Sequence, residues 1–144
     1  MSNTRVWIID TNVVVAGVLS ADTESPPARI LEAMLAARIH FLLSAELLGE
    51  YRAVLARPRI ADRHGLGLPE IDQLLHRFAE HGVVCDPPST PHRSPDAGDQ
   101  HLWSLLDAEP AAVLVTGDRV LLESCPWPDR IETARDWVAD QPPA

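Results

Sequence analysis

A chain of 144 residues with 46% hydrophobic content is long enough to bury one core and too short for a second, so residues 1–144 are expected to form a single domain. A net charge of −9 argues against a broad phosphate-binding surface, although carboxylates gathered around divalent cations add to that charge and accept phosphate once the cation is present. All 12 basic side chains are arginine, and without a lysine the chain has no phosphate-loop lysine, no Schiff-base amine and no receiver-domain lysine.

In chain order, residues 5–10 (Arg-Val-Trp-Ile-Ile-Asp) form a continuous apolar run with β-branched and aromatic residues, which predicts a central strand buried on both faces and ending in Asp10. Residues 11–19 are apolar but short and read as a helical turn, followed by a loop over 20–26. The spacing of Ile30, Leu31, Met34 and Leu35 predicts a helix over 27–38, and residues 40–43 a short strand. Ser44 is placed to cap a helix running to about Ala56. Pro58, Gly65, Gly67 and Pro69 break the next stretch before a helix over 69–80 and a strand over 83–85. The proline-rich segment 86–98 reads as a loop within the domain. After it come a helix over 99–107, a buried strand over 111–116, a strand near Ile131 and a terminal helix around Trp137.

Strands alternating with helices predict an α/β fold, a three-layer α/β/α arrangement with a central, mostly parallel sheet. In such sheets ligands gather at the carboxyl ends of the strands, where strand order reverses. Two strands here run into an aspartate, Asp10 directly and Asp118 through Thr116 and Gly117. Each also admits a local role, Asp10 as a turn or helix cap and Asp118 in a Gly-Asp turn.

Glu50 lies three residues after Leu47 and four before Val54, on the border of the buried stripe of its helix. It is either a site acid or a solvated residue bridged to Arg52 or Arg57. Glu46, in the first turn of that helix, simply complements the helix dipole. If Asp96 caps the helix after the proline-rich loop, Asp99 falls in its first turn and tilts inward with Leu102, Trp103 and Leu106. That makes Asp99 the preferred site acid and Asp96 a cap or a supporting ligand.

Four acids at one rim of a parallel sheet repel one another unless a cation compensates them. Hard carboxylate ligands suit Mg2+ or Mn2+, whereas zinc would bring histidine or cysteine. The six histidines are scattered and show no ligand spacing; His92 and His101 are the two considered as visitors to the site. Cys85 and Cys125 stand in no metal or redox spacing and read as free thiols. No apolar stretch approaches the roughly 20 residues of a membrane span, and residues 1–5 lack the h-region of a secretory signal; the expected location is the cytoplasm, away from membranes.

The order Asp10-Thr11-Asn12, Glu50, Asp99 and Thr116-Gly117-Asp118 resembles the PIN-domain family, most closely its bacterial toxins of the VapC type, from residue 5 to about 135. The third motif departs from many relatives, reading Ser94-Pro95-Asp96-Ala97-Gly98-Asp99 where adjacent aspartates are usual. The resemblance implies a ribonuclease that hydrolyses RNA phosphodiesters with Mg2+ or Mn2+ on Asp10, Glu50, Asp99 and Asp118, with Asn12 and Thr116 orienting ligands or water. It also implies a homodimer and a cognate antitoxin protein. Arg119 is placed either to touch a backbone phosphate or to stay solvated. Two competing readings remain: a haloacid-dehalogenase-like phosphatase, which would have an acid where Asn12 stands, and a PIN-fold binding module without catalysis.

Overall fold

The computed structural model describes residues 5–141. The N-terminal reading made on residues 1–5 therefore lies, except for Arg5, outside the described residues. Five strands, β1 (Val6–Ile9), β2 (Leu42–Leu43), β3 (Val83–Val84), β4 (Ala112–Val115) and β5 (Ile131–Glu132), alternate with eight α-helices among the described residues. All strand pairs are parallel. Strands β1, β4 and β5 form one sheet in the order β1-β4-β5, and β2 pairs with β3. A parallel bridge from Trp7 to Phe41 and the 2.8 Å bond from Trp7 N–H to the His40 carbonyl join the two sheets, giving a spatial order β3-β2-β1-β4-β5. The result is the expected three-layer α/β/α fold, with the sheet parallel throughout.

The apolar run that predicts β1 is buried as a central strand must be: Trp7, Ile8 and Ile9 are buried on both faces, as is all of β4. They form one core with Phe41, Leu43, Tyr51, Phe78 and Trp103. Two expectations need correction. Residues 11–19 are a complete helix, α1 (Thr11–Leu19), because Asp10 caps it and its valines, poor helix formers alone, are buried by tertiary packing. The stretch read as broken holds helix α4 (Pro58–His64): Pro58 opens the first turn, and Gly65, at φ 72°, takes the left-handed conformation that ends it.

The remaining helices are α2 (Pro26–Leu35), α3 (Ala45–Leu55), α5 (Leu68–His81), α6 (Gln100–Ala108), α7 (Arg119–Ser124) and α8 (Ala134–Ala139). Of these α7 was not anticipated. Ser44 caps α3 as expected, its Oγ accepting from Leu47 N–H at 3.0 Å. Cys85 and Cys125 are free thiols. No helix among the described residues is long and apolar enough to cross a membrane.

Helix α1 packs closely on α2, and Gly17 permits the approach: a Cβ there would lie 2.7 Å from the Pro27 carbonyl oxygen and 3.1 Å from the Leu31 Cβ. Overpacking of this kind costs about 1–3 kcal/mol, of which alanine's helix preference over glycine recovers about 1 kcal/mol. Gly17→Ala is expected to lower the urea midpoint at an unchanged slope. A midpoint equal to that of the parent chain would show that the helices have room to spare.

Candidate active site

β1 and β4 are neighbours in the sheet, yet the chain leaves β1 toward β2 and leaves β4 toward β5. Between them lies the topological switch point, and the crevice at their carboxyl ends is where such sheets bind ligands. Register sets Ile9 opposite Val115, and Asp10 N–H continues the ladder to the Val115 carbonyl at 2.9 Å. Asp10 and Thr116 thus emerge side by side, and the Thr116 hydroxyl donates to Asp10 Oδ2 at 2.7 Å. The other Asp10 oxygen accepts from Thr11 N–H at 2.8 Å. Both oxygens are held while the residue is only 4% exposed.

Glu50 comes in from α3. Its Oε1 accepts a short hydrogen bond from the Thr11 hydroxyl, and its Oε2 lies 3.3 Å from His101 Nε2. The Tyr51 hydroxyl donates a short bond to the Ile9 carbonyl, tying α3 to β1 one residue from each acid. Burial, followed by the charges of Asp10 and Glu50, pushes the Tyr51 phenol well above its usual range and keeps it a donor. The alternative bridges for Glu50 are not made: Arg52 pairs with Asp72 at 2.7 Å, and Arg57 has no ion-pair partner among the described residues.

Asp10, Glu50, Asp96, Asp99 and Asp118 all line one cleft of about 520 Å³, together with Thr11, Asn12 and Arg57. Asp118 also caps α7, its Oδ1 accepting from Val120 N–H at 2.9 Å and Leu121 N–H at 3.4 Å, so its local role is a helix cap in place of the Gly-Asp turn considered for it. Asp118 N–H in turn donates to Thr116 Oγ1 at 3.0 Å. Asp96 is exposed and caps the 3-10 turn Ala97–Asp99 through Gly98 N–H at 2.8 Å. Asn12 Oδ1 accepts from Gly117 N–H at 3.3 Å, bracing the loop that carries Asp118. Sequence reasoning missed Tyr51 as an anchor and Arg57 as a cleft residue; of the two histidines it considered as visitors to the site, His101 reaches Glu50 and His92 does not line the cleft. Arg57 stands beyond the end of α3, as the residue that precedes α4, so its entry into the cleft is set by the bend between the two helices and not by helical spacing.

The acids crowd one another electrostatically. Burial raises the Asp10 carboxyl against the opposing hydrogen bonds from Thr116 and Thr11, and Glu50 and Asp118 raise it further. Asp99 is pushed up to about 6, first by burial and then by Asp10, Asp96, Glu50 and Asp118. Nevertheless, among the described residues no three His, Cys, Asp or Glu side chains close on one point as a metal cluster. The acids ring the cleft instead. The arrangement is compatible with a hard divalent ion. The donor set is all oxygen, with mutual repulsion that a cation relieves.

A carboxyl raised from its ordinary 3.8 to about 6 binds its proton more tightly in the folded state. The stability it contributes is complete below pH 3.8 and is lost as pH rises through 6. With a chelator present, Asp99→Asn is expected to melt above the parent chain at pH 7.5 and level with it near pH 4. A parent chain that melts higher at pH 7.5 would remove the repulsion assigned to Asp99.

Compared with known families, residues 6–120 match the PIN domain, a span that includes every acid lining the cleft. No curated protein and no solved structure matches the chain. PIN domains are in general nucleases, hydrolases that cut nucleic-acid phosphodiesters. With its parallel sheet, its switch-point crevice and this match over most of its length, the chain belongs to the PIN-domain family.

Proposed function

We propose that this chain is a Mg2+- or Mn2+-dependent endoribonuclease, the toxin of a toxin–antitoxin pair. The reading further includes a cytoplasmic homodimer that a cognate antitoxin protein restrains. The observation that carries the catalytic part is the convergence of Asp10, Glu50, Asp99 and Asp118 on a single cleft at the β1/β4 switch point. The toxin role, the antitoxin and the dimer rest on the resemblance of the ordered motifs to bacterial PIN toxins. An acid two residues after Asp10, as a haloacid-dehalogenase-like phosphatase requires, is absent; Asn12 stands there and braces Gly117.

Asp10, Glu50, Asp99 and Asp118 would hold the cation, with Asp96 at the margin of the cleft. When bound, such an ion supplies Lewis acidity that acidifies water and offsets charge gathering on the phosphoryl oxygens and the leaving group. The chain's own part is orientation. Thr116 fixes Asp10 and is itself held by Asp118 N–H, and Thr11 fixes Glu50, so two of the acids are positioned before substrate arrives. Arg57, between α3 and α4, is the basic side chain lining the cleft, and its guanidinium suits an RNA phosphate adjacent to the one cut. It takes the part considered for Arg119, which does not line the cleft.

Asp10→Asn keeps the shape of the side chain and removes its charge. It is expected to stay folded and to cut RNA in Mn2+ more than about 100-fold more slowly, the upper end of what losing a mere supporting contact costs. Undiminished cleavage would remove the site assignment. If the parent chain neither binds Mn2+ nor cuts RNA, the binding-module reading takes its place. Arg57→Ala is expected to raise KM for single-stranded RNA with kcat within twofold. It should also make the plot of log affinity against log salt shallower by about 0.7, the share of one phosphate contact on a single strand. An unchanged salt slope would take Arg57 off the substrate path.

A further inference from the structure

His101 sits in the first turn of α6, two residues beyond Asp99, and is only 7% exposed. Its Nε2 lies 3.3 Å from Glu50 Oε2, while its Nδ1 is buried with no hydrogen-bond partner among the described residues. The ring also borders a second, smaller cavity of about 160 Å³, lined by Ser44, Glu46, Asp86, Ser89 and Ser104 as well. His101 thus touches Glu50, an acid of the cleft, without lining the cleft itself.

Glu50 is held from two sides. Thr11, next to Asp10, bonds one carboxylate oxygen, and His101, close to Asp99, meets the other. These two contacts make Glu50 the link between the segment bearing Asp10 and the segment bearing Asp99. With its proton on Nε2 the ring donates to the carboxylate and fixes its direction.

We propose that His101 is a positioning residue: through the contact of its Nε2 with Oε2 it holds the Glu50 carboxylate in the orientation that cation binding in the cleft requires. The proposal rests on the nuclease reading of the cleft. It adds a residue that none of the ordered acid motifs contains.

The test uses the intact chain and three substitutions. His101→Gln keeps an N–H donor near the Nε2 position, His101→Asn keeps one only near Nδ1, and His101→Phe keeps the ring and loses both. Each is titrated with Mn2+ by calorimetry and assayed for RNA cleavage across a range of Mn2+ and RNA concentrations, with melting temperatures recorded. Losing an outer partner of a metal ligand costs about 10–100-fold in affinity. His101→Phe and His101→Asn are thus expected to bind Mn2+ at least about tenfold more weakly, with kcat falling and KM for RNA unchanged, while His101→Gln stays within about threefold of the parent. If the Phe variant does not fold, the contrast between Gln and Asn decides. Parent-like Mn2+ affinity in the Asn variant, or equal losses in Gln and Asn, overturns the positioning role and leaves the nuclease reading standing. A parent chain that binds no Mn2+ and cuts no RNA removes that reading, and the role of His101 with it.

Discussion

The pairing of β1 with β4 is the constraint on which the rest depends. These strands are separated in sequence by two other strands and six helices, yet they lie in parallel register with Ile9 opposite Val115. Parallel pairing makes both strands end on the same rim. The reversal of strand order at that point leaves no crossover to cover it. A one-residue slip would turn the side chains of β4 to the other face and would part Thr116 from Asp10. The 2.7 Å bond between those two residues records the correct register in the site itself.

Crowding carboxylates at that rim works against folding, and the local structure offsets part of the cost. Asp10 would be expensive to bury ionised without partners; it receives one backbone and one hydroxyl hydrogen bond, and its carboxyl is still raised. Asp96 and Asp118 cap helical turns, where amide N–H groups welcome negative charge. Asp99 has no side-chain cap bond of this kind and is raised to about 6. Fold stability and site chemistry therefore share the same hydrogen bonds. The acid with the weakest local support is the one whose charge gains most from a neighbouring cation.

The strands and their terminal acids were legible because a buried parallel strand is written as an unbroken apolar run, and its end is marked where a charged residue stops it. Asp10 and Asp118 could be placed at one rim from that rule alone. Helix α1 was harder: Val13, Val14 and Val15 are β-branched and apolar on every side, so no 3.6-residue stripe distinguishes a buried helix from a strand or a turn. In α4, Pro58 and Gly65 were read as breakers when they mark its start and end, since the same residues punctuate both loops and helix boundaries. For Glu50 the helical position was readable and the partner was not. Its contacts with Thr11 and His101 span 39 and 51 residues, and no local pattern encodes a bond of that separation.

The acidity of the chain gains a physical account once the arginines are located. Arg130 spends its guanidinium on the Leu106, Glu109 and Ala112 carbonyls, closing the C-terminal end of α6. Arg52 and Arg38 are paired with Asp72 and Glu32. Several cations that raise the basic count are thus engaged with the fold, whereas Arg57 faces the cleft beside the acids. A polyanion approaching a body of charge −9 meets net repulsion, which salt screens beyond about 8–10 Å. At contact the balance is local, and the cleft changes sign only when cationic charge enters among its carboxylates. A divalent ion bound there would lower the cost of binding a phosphodiester, and the phosphodiester would favour the ion by the same factor.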